Sequence, residues 1–286
     1  MTITLASNIP SLHIQGNLRD STADLSETYE RLSSGLRINS AKDDPAGLAI
    51  ADVLRADARI ATAAIQQVNQ GISLTTMADE ALDSITTALE RMAELAGQSA
   101  NTTISQTQRS ALSAEFLALG SEIERIAKNT TYNDINLLSN SSTIYVQAGL
   151  DGTSNSQIPI LSVLGTLESF SLAATGQSKL AYSIIGTTTN LSVTAARNAL
   201  TAVNSALTAV SARRGTVGAS GGRLDFALRH LQVARENFLA ADQRIREIDV
   251  AEEVAKLVSG QIRQLSGVAV LAHANLQPQS VLSLLS

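Results

Sequence analysis

Asp43-Asp44 is the only adjacent aspartate pair in the chain. Two neighbouring carboxylates can divide general acid and general base work, provided both reach one reacting atom. Pro45 gives the pair a simpler use. Asp44 can accept hydrogen bonds from the free N–H groups of a helix start, and proline at the first helical position loses nothing by lacking its own N–H. Asp44 and Pro45 are therefore read as a helix cap. The three histidines, His13, His230 and His273, stand far apart, and no HExxH motif occurs. Gly215, Gly218, Gly221 and Gly222 form a glycine-rich run, but no Lys-Ser/Thr follows, so it is not a phosphate-binding loop. Cysteine is absent, which removes disulfides, thiol chemistry and Cys-ligated metals. No catalytic residue, cofactor or metal is expected, and the chain is not read as an enzyme.

Composition narrows the remaining classes. The chain has 286 residues, a net charge of −5 and a pI near 5.3. That balance argues against nucleic acid or an anionic membrane as partner. Hydrophobic residues make up 44% but aromatics only 3%, which favours thin helix-on-helix packing over a thick globular core. Four prolines leave long stretches free to be helical. Met1 to Asp20 has neither a basic start nor an apolar block of signal-peptide type. No run of about 18 apolar residues is present to cross a membrane.

Heptad seams run through both ends. Leu18, Thr22, Leu25, Tyr29, Leu32 and Leu36 alternate steps of 4 and 3. Ile248, Ala251, Ala255, Val258, Ile262, Leu265, Ala269, Ala272 and Leu276 do the same at the C-terminal end. The pattern predicts helices over 5–38, from Pro45 to about Asn101, over 106–129, from Leu191 to Ile245, and beyond Ile248. Asn39–Asp44 breaks the first seam, and Ile245 to Ile248 repeats a step of 3 in the last. Ser21-Thr22-Ala23-Asp24 matches a capping box, but the seam running through it places it mid-helix.

The middle differs. Tyr132–Ser142 reads as a loop. Thr143–Gln147 and Gln157–Val163 are β-prone, with Pro159 confining the second to an edge or bulge. Residues 139–190 read as a small surface elaboration of one or two hairpins. Its Ser- and Thr-rich start reads as a plain polar loop, with O-glycosylation as the other account. For the glycine run, close helix–helix approach is preferred and a soft segment is the alternative. The predicted fold is mainly α: an antiparallel long-helix coiled-coil bundle of the N- and C-terminal halves, with a small β-hairpin region in the middle.

Arg31-Leu32-Ser33-Ser34-Gly35-Leu36-Arg37-Ile38-Asn39-Ser40-Ala41-Lys42-Asp43-Asp44-Pro45-Ala46-Gly47-Leu48-Ala49-Ile50 resembles the N-terminal signature of bacterial flagellins. Leu95-Ala96-Gly97-Gln98-Ser99-Ala100-Asn101 and Asn133-Asp134-Ile135-Asn136-Leu137-Leu138 are similar to later motifs of that family. Arg244-Ile245-Arg246-Glu247-Ile248-Asp249, and the stretch from Ala272 to Leu285, resemble its C-terminus. Together the matches span roughly 1–150 and 191–286.

The resemblance implies a structural subunit that polymerises into the flagellar filament for motility. It implies an inner core domain of 1–44 with 242–286, and a rod domain of 45–190 with 191–241. Leu18, Leu25, Leu32, Leu36, Val258, Ile262, Leu265 and Leu276 would carry core assembly. Arg91, Leu95, Gln98 and Glu115 would meet other subunits and the flagellin-sensing innate receptor of animals. Implied partners are copies of the chain itself, an export chaperone, the filament cap and the hook–filament junction proteins. Implied location is the extracellular flagellum, reached by type III export without a cleaved signal peptide. A hook–filament junction protein shares weaker forms of both end motifs. A cytoplasmic coiled-coil adaptor would explain the heptads but not the motif order.

Overall fold

The computed structural model describes residues 8–160 and 162–285, with 277–285 described by backbone alone. Leu5, where the N-terminal seam was expected to begin, lies outside the described residues. The elements run α1 (Ile9–Ser34), α2 (Pro45–Ser99), α3 (Gln106–Asn129), β1 (Thr131–Tyr132), β2 (Ile135–Asn136), β3 (Ile144–Gln147), β4 (Gln157–Ile160), α4 (Thr189–Arg246) and α5 (Val250–Leu285). The fold is mainly α, as the periodicity predicts. The chain divides into two compact units, one made of residues up to Ala58 with those from Glu236, the other of Arg59–Arg235.

In the second unit, α2 and α4 run antiparallel and share one core with α3. Leu74, Ala78, Leu82, Ile85, Leu89, Met92 and Ala96 form the buried stripe of α2. Phe116 and Ile123 of α3, and Val203, Val210, Val217, Leu224 and Leu231 of α4, close over it. Small and medium aliphatic side chains fill this space, which explains how the protein manages with so few aromatics. Arg214 of α4 bridges Asp79 at 2.9 Å and Asp83 at 2.6 Å on α2, fixing the antiparallel register.

Helix ends follow local chemistry. Ser105 and Gln108 form a reciprocal capping box at the start of α3. The similar pattern at Ser21–Asp24 lies inside α1, where the seam places it. Gly35 ends α1 in the left-handed conformation at φ 71°, and its N–H donates to the Arg31 carbonyl at 2.8 Å.

Two antiparallel hairpins stand between α3 and α4. In the first, Asn133 (φ 48°) and Asp134 (φ 62°) make the two-residue turn joining β1 to β2. The expectation of plain loop at Tyr132–Ser142 is corrected there, because two-residue strands are too short to show alternation. In the second hairpin Tyr145 pairs with Pro159. Residues 164–188 are irregular but not a surface appendage. Leu167, Phe170, Leu172 and Ile184 enter the core. Arg213 clamps this segment to α4: its guanidinium lies 4.2 Å from the Phe170 ring centre and donates to the Ser169 carbonyl at 2.6 Å. Gly120 belongs to the same packing, since a Cβ there would collide with Leu180.

The glycines of α4 behave differently. A Cβ at Gly215, Gly218 or Gly222 would meet nothing within 4 Å, and at Gly221 only Thr75 Oγ1 at 3.7 Å. Close approach inside the subunit, the preferred expectation, is therefore overturned. The helix runs through all four and carries their entropic cost without contacts in return. Changing Gly215, Gly218 and Gly222 to Ala is expected to stabilise the soluble subunit by about 0.8–1 kcal/mol per site. Thermal melting of the triple variant checks this, and an unchanged or lower midpoint would refute it.

Candidate functional site: the terminal helix pair

α1 and α5 lie antiparallel in the first unit. The N-terminal seam faces inward. Leu25 is buried, and Leu18, Leu32 and Leu36 are half-buried. Leu25 Cδ1 sits where a Cβ at Gly260 would be 3.1 Å away, and Leu18 Cδ1 stands 3.2 Å from the same position at Gly267. These two glycines admit leucine knobs that larger residues would hold off. Polar rungs accompany them. Gln261 donates to the Tyr29 hydroxyl at 3.0 Å, Asn8 to the Ala274 carbonyl at 3.0 Å, and Ser11 to Asn275 at 3.0 Å.

The C-terminal seam does not face α1. The surface α5 turns inward is Glu253, Leu257, Gly260, Gln264, Gly267, Leu271 and Ala274, small or polar at most positions. Val258, Ile262, Leu265 and Leu276 lie on the opposite side, 48%, 59%, 73% and 56% exposed. Both helices carry apolar seams, but only one is spent within the chain.

The inward pairing leaves buried polar atoms unsatisfied. Glu253 is buried beside Lys256 at 3.2 Å and Arg31 at 4.0 Å, yet its Oε1 has no hydrogen-bond partner, nor has Arg31 Nε. Buried polar atoms left this way detract from stability.

The first helix ends at Ser34 rather than near Ile38, and Gly35–Arg37, not the expected break at Asn39–Asp44, meets the step at Ile245–Ile248. Leu36 pairs with Glu247 in a short antiparallel bridge. Arg37 N–H donates to the Arg246 carbonyl, Ile248 N–H to the Gly35 carbonyl at 3.3 Å, and Arg37 Nη2 to the Ile245 carbonyl at 2.7 Å. Asp249 starts α5 by accepting from Ala251 N–H at 2.9 Å.

The aspartate pair is committed to backbone. Asp44 accepts from Ala46 N–H at 3.1 Å and Gly47 N–H at 2.9 Å, at the start of α2, with Pro45 first in the helix. Asp43 accepts from Asn39 N–H at 3.1 Å and Ser40 N–H at 2.9 Å. Those bonds, Ser40 foremost, hold the Asp43 carboxyl below the usual carboxylate range. Its contribution to the bend is present above that range and fades as pH falls through the lowered value. His13, His230 and His273 are exposed on α1, α4 and α5. Among the described residues no group of three His, Cys, Asp or Glu could hold a metal ion. Among them also, no helix is long and apolar enough to cross a membrane.

On the second unit, Arg91 Nε bonds Glu115 of α3 at 2.8 Å and Arg91 Nη1 bonds Glu94 at 2.9 Å, which raises the Arg91 pKa. Gln98 is exposed nearby in sequence. Leu95 is fully buried in the core, so its side chain is not on the surface that the other three share. One helical stripe was expected to carry Arg91, Leu95 and Gln98 together. The helix turns Leu95 inward toward α3.

Arg109 was not singled out from the sequence. It is completely buried and donates to the carbonyls of Ser99 at 3.0 Å and Asn101 at 2.7 Å. A lone arginine in a polar helix start gives no sequence signal for such a role.

Residues 5–143 match the bacterial flagellin N-terminal helical region, and 200–285 match the bacterial flagellin C-terminal helical region. The chain is 37% identical to a flagellin of Halalkalibacterium halodurans over 97% of its own length and 98% of the relative's. It is 31% identical to the flagellar filament 33 kDa core protein of Treponema phagedenis, again over 97% of this chain and 98% of that one. A crystal structure of Bacillus cereus flagellin aligns at a TM-score of 0.47 and 23% identity, covering 58% of this chain and 88% of that one. Coverage by the two family regions and near full-length identity agree with the helix order, the bends and the unspent seam: the chain belongs to the bacterial flagellin family, whose members are structural subunits that polymerise into the flagellar filament and are not enzymes.

Proposed function

We propose that the outward seam of α5 is the surface that drives polymerisation, and that neighbouring copies close it. The exposure of Val258, Ile262, Leu265 and Leu276 carries this reading. Burying apolar side chains is the main favourable term in association. The inward α1–α5 contact, made on the α5 side mostly by small or polar residues and partly unsatisfied, holds the pair weakly in a lone subunit. On this reading the pair orders fully only on joining the filament, as segments that fold on binding do. Residues 1–44 with 242–286 form the inner domain that lines the core, and 45–241 the outer rod. Leu18, Leu25, Leu32 and Leu36 close the pair, and the α5 seam makes the contact between copies. Such contacts are heterologous, which yields open helical filaments rather than closed rings. The test is removal of 242–286, which leaves a soluble chain that forms no filament.

The family resemblance extends the partner set to an export chaperone, the filament cap and junction proteins, with type III export of an uncleaved chain. Arg91, Glu115 and Gln98 form the exposed part of the patch proposed to meet the animal flagellin receptor. Arg91→Ala breaks the Arg91–Glu115 bond and is expected to lower receptor signalling in a reporter-cell assay. Unchanged signalling would leave that patch to contacts between subunits.

A further inference from the structure

Aspartate followed by glycine is the aspartyl step most prone to rearrange, because glycine has no Cβ to keep its own nitrogen off the preceding carboxyl. The chain contains that step once, at Asp151-Gly152, and contains no Asn-Gly. It stands in the turn between β3 and β4, where residues 151–155 are exposed. The Gly152 N–H has no hydrogen-bond partner among the described residues. Asp20-Ser21, Asp57-Ala58 and Asp83-Ser84 also have small neighbours, but they lie inside α1 and α2. There the following N–H is committed to the helix.

The turn leaves the nitrogen free and ties down the carboxyl. Asp151 Oδ1 accepts from the Ser156 hydroxyl, and Thr153 Oγ1 stands 3.1 Å from both carboxylate oxygens. Gly149 makes room for this arrangement, since a Cβ there would collide with Ser156 Oγ. Gln147 Nε2 donates to the Asp151 main-chain carbonyl. The bonds from Ser156 and then Thr153 hold the Asp151 carboxyl below the usual carboxylate range. His230 of α4 is the other titratable group lining the groove beside the turn. Any charge it takes up is positive and favours the ionised carboxylate as well.

The rearrangement needs that carboxyl neutral. The Gly152 nitrogen attacks Asp151 Cγ. A C–N bond forms, the C–OH bond breaks, and the proton of the nitrogen leaves with the hydroxyl as water. Water then opens the cyclic imide at either carbonyl. One opening returns aspartate, and the other leaves the backbone running through Cγ as isoaspartate. Nothing is oxidised or reduced.

We propose that Asp151-Gly152 is an isoaspartate-forming site of this protein, and that the Ser156 and Thr153 hydroxyls set its rate by binding the Asp151 carboxylate. The site belongs to the second unit and does not depend on the filament reading. The product has a longer turn at a place that positions no helix, so the altered chain keeps its fold.

Ageing the full chain at fixed pH and temperature tests this. Fragment-ion mass spectrometry of the peptide containing residue 151 gives the readout. Loss of cleavage before Asp151 by an aspartate-specific endoprotease gives a second. Thr153→Val with Ser156→Ala is expected to accumulate isoaspartate at least about fivefold faster than the parent, the worth of one net hydrogen bond. The parent unfolded in urea should match that variant, because unfolding removes the same restraint. Gly152→Ala adds a Cβ that meets nothing within 4 Å, so the turn can keep its shape. It is expected to slow the reaction about tenfold by hindering the approach of the nitrogen. Equal rates in the folded parent, the double variant and the unfolded chain would overturn the role of the hydroxyls. Gly152→Ala rearranging as fast as the parent, or no isoaspartate at 151 in any of these proteins, would overturn the site. Polymer yield is not the readout, so loss of the filament reading would leave either result standing.

Discussion

A chain ending at Ala241 is expected to remain soluble at concentrations where the full chain is entirely polymer. The deletion removes α5 with its outward seam. Complete burial of one Val, Leu or Ile side chain is worth about 1.5–3 kcal/mol, and those of the seam are about half exposed before assembly. Finishing the burial of Val258, Ile262, Leu265 and Leu276 then contributes roughly 1 kcal/mol each, or about 4 kcal/mol per subunit. At 1.4 kcal/mol per factor of ten, that is nearly a thousandfold in critical concentration. A full-length companion, Val258→Ser/Ile262→Ser/Leu265→Ser, separates the seam from the helix. It keeps the inward residues Gly260, Gln264 and Gly267 and the contacts with Leu18 and Leu25. It is expected to lose assembly nearly as completely. Filaments at the parental concentration from either protein, seen by sedimentation and electron microscopy, would remove the seam from the mechanism.

Arg109→Ala should produce the largest loss of stability among single changes in the second unit. Ser99 is the last residue of α2, and its carbonyl has no partner further along the helix. The Arg109 guanidinium supplies that partner, and a second one for Asn101, from within the core. A cation at the negative end of a helix is favourable beyond the hydrogen bonds themselves. Truncation leaves a void and orphans both bonds. The expected cost is about 3 kcal/mol. For a unit of this size that is a fall of roughly 6–12 °C in melting temperature. Arg109→Met fills most of the space but makes neither bond and should fall between parent and alanine variant. Equal melting of all three would refute the lock.

Much of this architecture can be read in the residue pattern, and the exceptions share a cause. α3 starts and ends where the apolar period and the polar stretch before Gln106 place it. α2 starts at Pro45 because Asp44 and Pro45 are a local device, complete within a few residues. The α5 seam was equally visible, but a heptad shows which face is apolar and not what that face will meet. Its orientation depends on Gly260 and Gly267 receiving Leu25 and Leu18, contacts across more than two hundred residues of chain. Arg109 was invisible for the same reason, since its importance lies in which carbonyls surround it. The glycines of α4 misled because glycine signals permission, and permission alone does not say whether a neighbour uses it. Leu167, Phe170 and Ile184 were hidden in a segment without period, where burial is decided by one residue at a time. Roles in assembly and receptor contact came from motif resemblance, not from chemistry in the residues.

The clamp between Gly35–Arg37 and Arg246–Ile248 has a consequence for how such chains can vary. It pins α1 and α5 at one shared origin, and each residue counted from there turns a helix by 100°. Inserting a single residue near the start of α5 would swing everything beyond it a quarter turn or more. Leucine knobs would then miss their glycines, and the outward seam would rotate away from its neighbours. Between β3 and β4 the chain passes through a solvent-facing turn at 151–155, and added length there disturbs no such count. Lineages carrying this fold should accordingly grow and shrink in the middle while their ends keep strict length, like a ruler graduated only from its fixed mark.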